Sequence, residues 1–147
     1  MNGKCADAAS ENQCDGPVMP ICENRQCVAG SIQIAESFAA RLVGLLGRRE
    51  LGCEEGLLIK PGGSVHTLGM RFAVDVLFLD RRLRILRIVA ALLPGRFAVA
   101  PRGTRSVLEI AAGRAAWLEL RAGMSLVEHG GGLWTSGTGR CSEGLKG

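Results

Sequence analysis

The residues with the greatest chemical potential lie in one stretch of the chain, from His66 to Asp75. Histidine is the side chain that most often serves as an acid, a base or a metal ligand near neutral pH. Asp75 interrupts an apolar run, where a carboxyl group is costly unless it is paired or hydrogen-bonded. Glu109 places a second carboxyl group in another apolar run. If the three side chains converged they would form an acid/base cluster, but the spacing leaves convergence open.

The same residues also have plain structural interpretations. Asp75 would then hold the loop from His66 to Arg71 against the sheet, through Arg41, Arg71, Thr67 or a backbone amide. Arg41 lies beside the apolar face of a predicted helix, from which a guanidinium group can reach a buried carboxyl group. We therefore treat Arg41 and Arg71 as structural polar residues. A methionine such as Met70 more often fills a gap in the core than binds a ligand.

Three classes of function remain open. The first is a small-ligand-binding or accessory module, with a polar site formed by His66, Thr67, Met70, Asp75 and Glu109. The second is a protein–protein adaptor that presents an exposed apolar patch or a sheet edge. The third is a small acid/base enzyme that uses His66 with Asp75 or Glu109. We expect binding rather than catalysis and no cofactor, with an unidentified small molecule or protein as the partner.

Composition and charge restrict these classes further. The 147 residues carry a formal net charge of +4, most of it from arginine, and one basic cluster comprises Arg81, Arg82, Arg84 and Arg87. Nucleic-acid binding usually needs a broader basic stripe and a recognisable module, so we predict none. No apolar segment approaches the length of a membrane span, and no secretory signal is recognisable at Met1. The sequence thus predicts a cytoplasmic protein.

The six cysteines do not follow a metal-binding pattern. Cys5, Cys14, Cys22 and Cys27 crowd the first 27 residues, whereas Cys53 and Cys141 lie apart. Zinc ligands usually occur as two close pairs, because both thiolates of a pair must reach one tetrahedral ion. A second close pair is absent from this sequence, so we predict no metal site. We expect reduced thiols in the N-terminal segment, because disulfides require an oxidising compartment.

The composition divides the chain into three zones. Residues 1–20 are polar and lack periodicity, which predicts a flexible leader that contains cysteines. Residues 21–128 are predicted to form one domain. Residues 129–147 contain seven glycines and are predicted to form a disordered tail.

Within the domain, hydrophobic periodicity predicts one helix and six to seven short strands. Residues 36–48 have apolar side chains on one helical face. Alternating or short apolar runs predict the strands, at residues 28–35, 56–59, 72–79, 83–91, 106–111, 117–120 and 125–127. This order indicates an α+β, mainly β domain: a curved antiparallel sheet or small barrel with one packed amphipathic helix.

Three stretches resemble a known family. They are residues 35–48, with an Arg three residues before a Gly-Leu pair; residues 65–80, with a His-Thr-x-Gly-Met core; and residues 107–113, followed by Gly123. In this order they are similar to the domain-of-unknown-function 192 family of bacterial and archaeal proteins, in its His-Thr-x-Gly-Met subgroup. The resemblance covers residues 24–127 and implies a compact, mainly β domain with one packed helix. It implies no established activity.

The sequence departs from the family pattern at two positions. Leu46 stands where a Met is usual, which preserves the packing volume. Met124 stands where the family has an Asp after Gly123. If that Asp has a function in other members, this chain lacks it.

Overall fold

The computed structural model of this protein describes residues 25–36, 45 and 47–136, which form ten strands and one short helix. The strands are β1 (Cys27–Ala29), β2 (Ser31–Ala35), β3 (Glu55–Ile59), β4 (Val65–His66), β5 (Val74–Leu79), β6 (Ile85–Leu92), β7 (Phe97–Ala98), β8 (Ser106–Ala111), β9 (Leu126–His129) and β10 (Gly132–Thr135). The helix, α1, spans Arg114–Trp117. The predicted α+β, mainly β class is confirmed.

The described strands form three sheets. A five-stranded sheet has the order β2-β3-β8-β5-β6, a three-stranded sheet has the order β1-β10-β9, and β4 pairs with β7. The pairs are antiparallel except for β2 and β3, which run parallel. The predicted antiparallel sheet of six to seven strands is therefore wrong in detail, because the periodicity of a strand does not indicate which strand it pairs with or in which direction.

Two apolar cores lie on opposite faces of the five-stranded sheet. Two of its three inner strands, β5 and β8, are buried along their whole length. Because side chains alternate along a strand, β5 directs Leu77 and Leu79 into one core and Val76 and Phe78 into the other. The first core is covered by α1, β9 and β10, and the second by residues that include Leu45.

Three strand predictions differ from the structure in an instructive way. Residues 28–35 are not one strand, because the chain bends at Gly30 between β1 and β2, which belong to different sheets. Residues 117–120 do not form a strand, because α1 ends at Trp117 and a turn follows it. Leu118 and Leu120 of this turn pack in the first core. Strands β4 and β7 were missed because two residues are too few for a period-two pattern.

The described strands do not close into a barrel. The three-stranded and five-stranded sheets meet at an isolated bridge between Arg84 and Ser125, and the amide of Leu126 donates to the carbonyl oxygen of Leu83. The predicted barrel is corrected accordingly. Within the described residues, no helix is long and apolar enough to cross a membrane.

The C-terminal hairpin extends beyond the predicted domain boundary at residue 128. Strands β9 and β10 pair through His129 and Gly132, with Gly130 and Gly131 at positive φ in the two-residue turn. Glycines adopt this turn without strain, and Leu133 is fully buried just after it. Residues 129–136 therefore belong to the folded body, whereas the rest of the predicted tail and the predicted leader lie outside the described residues.

The predicted amphipathic helix falls mostly outside the described residues, as does Arg41. Of residues 36–48, Leu45 has helical conformation and is 4% exposed. Its packing in the second core agrees with the predicted apolar face.

Candidate functional site

Asp75 is a fully buried residue that joins three elements. It lies in β5 opposite a bulge in β6, where Val74 pairs with Leu92 and Val76 pairs with Val89. One carboxyl oxygen, Oδ1, accepts a 2.8 Å hydrogen bond from the amide of Ala91 in the bulge. The other, Oδ2, accepts a 2.8 Å hydrogen bond from the amide of Ala115 in α1.

These contacts explain why a carboxyl group is tolerated in the core. Ala91 has a φ of 48°, which is unfavourable for a non-glycine residue, and the hydrogen bond from its amide compensates for part of that cost. Ala115 lies in the first turn of α1, where amides have no partner within the helix. Backbone amides, rather than Arg71 or Thr67, thus hold Asp75, and Arg71 is exposed.

Asp75 and Glu109 lie on opposite faces of the sheet. Asp75 pairs with Ile110, whereas Glu109 pairs with Val76 and Leu57. Neighbouring residues on a strand point to opposite faces, so Asp75 faces the first core and Glu109 the second. Both are 0% exposed. The two carboxyl groups therefore do not form one cluster around His66.

Thr67 anchors the segment after β4 to the turn before β7. Its hydroxyl donates to the carbonyl oxygen of Leu93 at 2.6 Å and accepts from the amide of Arg96 at 3.0 Å. Its own amide donates to Arg96, and its carbonyl oxygen accepts from Gly95. Thr67 is fully buried, so it fixes two loops rather than presenting a hydroxyl group to a ligand.

Replacing Thr67 with Val removes the hydroxyl group and keeps the shape of the side chain. We expect Thr67→Val to lower the free energy of unfolding by about 2 kcal/mol, because the amide of Arg96 loses its acceptor. Chemical denaturation measures the loss, and hydrogen exchange of the Arg96 amide should accelerate. Thr67→Ser, which keeps the hydroxyl group, is the control, and an equal loss in both variants would contradict the assignment.

His66 and Met70 are the predicted site residues that reach the surface. His66 is half-buried and pairs with Phe97, with a ring-centroid distance of 6.0 Å and an interplanar angle of 60°. Met70 is half-buried and packs against the second core, as expected for a gap-filling side chain. Met70 and Asp75 therefore lie on opposite sides of the five-stranded sheet.

Next to His66 and Thr67, four large apolar side chains are exposed. The exposed fractions are 47% for Leu68, 57% for Leu93, and 68% for both Phe97 and Val99. Phe97 and Val99 share one side of the chain, since Ala98 between them is buried. We call these four residues the apolar surface. The backbone hydrogen bonds of Thr67 fix the position of the two loops that carry the apolar surface.

Arginines border the apolar surface. Arg96 precedes Phe97 and is exposed, and the guanidinium group of Arg87 lies 3.5 Å from the carbonyl oxygen of Val99. Neither Leu93 nor Phe97 was singled out from the sequence. The sequence feature that could have identified them is the run of apolar residues on both sides of the Pro94-Gly95 turn, where a loop is usually polar.

Arg114 is a structural residue that the sequence analysis missed. It is 5% exposed, donates a 2.9 Å hydrogen bond to the carbonyl oxygen of Cys27, and stacks over the ring of Trp117 at 4.9 Å. It thereby ties α1 to the start of β1. A charged side chain at this depth is stabilised by its hydrogen bonds to carbonyl oxygens and by its cation–π interaction with the aromatic ring.

The described cysteines do not form a metal centre. Cys27 is a free thiol, and burial, together with the nearby Glu54, raises its pKa. Cys53 is disulfide-bonded, which the sequence analysis did not anticipate. Among the described residues, no group of three or more His, Cys, Asp or Glu side chains is arranged to hold a metal ion. Cys5, Cys14, Cys22 and Cys141 lie outside the described residues.

These observations define a small, mainly β domain whose buried polar residues hold its sheets together and whose one side exposes an apolar surface. Residues 20–127 match the model of the family described as DUF192, Uncharacterized ACR. The chain belongs to the DUF192 family. None of the curated proteins compared with it gives a significant match.

Two solved structures share the fold. A protein of unknown function from Novosphingobium aromaticivorans DSM 12444 is 30% identical, covers 63% of this chain and 70% of its own, and has a TM-score of 0.57. A proposed transcription regulator from Sinorhizobium meliloti 1021 is 22% identical, covers 63% of this chain and 76% of its own, and has a TM-score of 0.58. At 22% identity the second likeness concerns the fold alone.

Proposed function

We propose that this protein is a binding module that docks another protein on the apolar surface formed by Leu68, Leu93, Phe97 and Val99. The observation that carries the proposal is the exposure of these four side chains, on two segments that the hydrogen bonds of Thr67 hold together. Large contiguous apolar patches are rare on monomeric soluble proteins, and they mark interaction sites when they occur. His66, which was predicted to form a binding site, lies beside Phe97, with a ring-centroid distance of 6.0 Å.

The geometry favours the adaptor class over a small-ligand groove or an acid/base site. Thr67, Asp75 and Glu109 are all 0% exposed, so a ligand reaches none of them unless the cores open. Both carboxyl oxygens of Asp75 accept hydrogen bonds from backbone amides, so the carboxyl group has a structural role. The exposed apolar side chains, by contrast, need no rearrangement to meet a partner.

The charges around the apolar surface define the chemistry of the partner. Arg87 and Arg96 place positive charge beside Phe97 and Val99, so a partner that offers apolar side chains flanked by Asp or Glu is complementary. The apolar surface contains neither Trp nor Tyr, the side chains typical of membrane-interface anchors. We therefore assign the surface to an acidic, apolar segment of another protein.

Two synthetic amphipathic peptides test this proposal. They share the same apolar residues and differ in their charged residues, which are Glu in one and Lys in the other. We expect the Glu peptide to shift the amide NMR signals of the apolar surface and to bind about tenfold more tightly than the Lys peptide. Phe97→Ser should abolish these shifts, whereas Ile34→Ser, at a side chain that is 57% exposed elsewhere, should preserve them.

Several results would overturn the proposal. Equal binding of both peptides, or signal shifts confined to other residues, would remove the role of the apolar surface. Binding to phosphatidylglycerol vesicles without binding to the Glu peptide would assign the surface to a membrane. A concentration-dependent dimer that Phe97→Ser dissociates would assign it to a second copy of this chain.

A further inference from the structure

A second feature, separate from the apolar surface, lies where two turns face each other. One turn follows β5 and contains Asp80, Arg81 and Arg82; the other precedes β8 and contains Gly103 and Arg105. Between them is an open cavity of about 440 Å³, lined by these five residues. We call it the arginine cleft.

Hydrogen bonds hold both walls of the arginine cleft in place. The amide of Arg105 donates a 2.8 Å hydrogen bond to the carbonyl oxygen of Leu79, which joins the start of β8 to the end of β5. The hydroxyl group of Thr104 donates to the carbonyl oxygen of Pro101 at 2.7 Å and closes the second turn. Both turns are thus formed before any ligand arrives, which lowers the entropic cost of binding.

The charges of the arginine cleft favour an anion. Three arginines and one aspartate line it, which gives two positive charges in excess. The carboxyl group of Asp80 already accepts hydrogen bonds from the amides of Arg84, at 3.0 Å, and Arg82, at 2.7 Å. These bonds, the one from Arg84 foremost, lower the pKa of Asp80, so it remains a structural anion of the turn.

The shape of the site also fits an anion with several oxygens. A guanidinium group offers a planar set of donors that matches two oxygens of a phosphate group, and several arginines together can surround one phosphate. Gly103 has a φ of +91°, and the nearest atom to a side chain there would be Leu86 Cδ1 at 3.8 Å. Gly103 adds no side chain to the lining of the cleft.

We propose that the arginine cleft binds the phosphate or diphosphate group of a small molecule. A dianionic phosphate group balances the two excess positive charges, and the cavity is of the size that binds small ligands. This site goes beyond the proposed docking function, because none of its lining residues belongs to the apolar surface. It also gives a role to Arg81 and Arg82, which belong to the basic cluster for which the sequence offered no nucleic-acid-binding module.

Calorimetric titration of the full chain with pyrophosphate tests this inference. We expect saturable binding that Arg82→Ala and Arg105→Ala each weaken about tenfold, because each removes charge-assisted hydrogen bonds to the phosphate oxygens. Arg105→Lys, which keeps the charge and loses the planar fork, should retain part of the affinity. Arg49→Ala, at an exposed arginine outside the cleft, is the matched control and should bind as the wild type does.

The possible results distinguish a specific binding site from nonspecific electrostatic attraction. Thermal unfolding first shows that each variant is folded. No heat with pyrophosphate at millimolar concentration, or an equal loss of affinity in Arg49→Ala and Arg82→Ala, would overturn the inference. Binding of a single-stranded oligonucleotide without binding of pyrophosphate would also overturn it, because the cleft would then belong to a nucleic-acid surface. Binding in the Glu-peptide experiment is unaffected by any of these outcomes.

Discussion

Asp75→Ala should lower the free energy of unfolding by about 4 kcal/mol, because two buried amides lose their acceptor and each costs about 1–3 kcal/mol. The amides of Ala91 and Ala115 both donate hydrogen bonds to the carboxyl group of Asp75, each at 2.8 Å. Domains of this size have a total stability of only about 5–15 kcal/mol. Asp75→Ala is therefore expected to bring the protein close to unfolding, with a melting temperature lower by about 20 °C.

Denaturant unfolding of Asp75→Ala beside Asp75→Asn measures this effect. The Asn side chain keeps one carbonyl oxygen and turns an NH2 group towards the second amide, so about half of the loss should remain. Hydrogen exchange should accelerate at Ala91 and Ala115 more than at Leu108 in the same core. A loss below about 1 kcal/mol in Asp75→Ala would show that Asp75 does not act as the clamp between β6 and α1.

Gly62→Ala should have the second-largest effect, of about 3 kcal/mol, because the new Cβ overlaps the backbone and cannot be relieved by a side-chain rotation. That Cβ would lie 2.6 Å from both the amide nitrogen and the Cα of Ser106, the first residue of β8. The amide of Gly62 also donates a 2.7 Å hydrogen bond to the carbonyl oxygen of Arg105. The clash therefore moves the loop away from β8 and breaks this bond.

The adjacent Gly63 provides a matched control. No atom lies within 4 Å of a Cβ placed on Gly63, and neither glycine has a positive φ. Gly63→Ala should leave stability unchanged or raise it by about 0.4–1 kcal/mol, because alanine restricts the unfolded chain. Thermal unfolding of both variants measures the difference. Equal stability of the two would mean that the contact with Ser106 relaxes at little cost.

Much of the fold was predictable where the hydrophobic pattern was long enough to show a period. Residues 106–111 were predicted as a strand and form β8 with the same bounds, and residues 72–79 contain β5. The pattern failed for the two-residue strands β4 and β7, and for α1, which is shorter than two helical turns. Elements of this length carry too few residues for periodicity to distinguish strand, helix and turn.

The sequence singled out Asp75, but it predicted neither the arrangement around Asp75 nor the residues of the apolar surface. The sequence marked Asp75 as a costly carboxyl group and named backbone amides among its possible partners. It did not indicate which amides, because Ala91 and Ala115 are 16 and 40 residues further along the chain. The arginine cleft was likewise invisible, since Arg105 joins Arg81 and Arg82 only through the pairing of β5 with β8.

By itself, then, the sequence determined the family, the mainly β class and the residues whose burial demands a partner, because composition and local periodicity encode these properties directly. The tertiary structure alone decided that Asp75 and Glu109 face opposite cores, that Leu68 and Phe97 share one exposed surface, and that three arginines line one cleft. These relations depend on strand register and on contacts between distant segments. A one-residue change of register would reverse the face of every side chain on a strand.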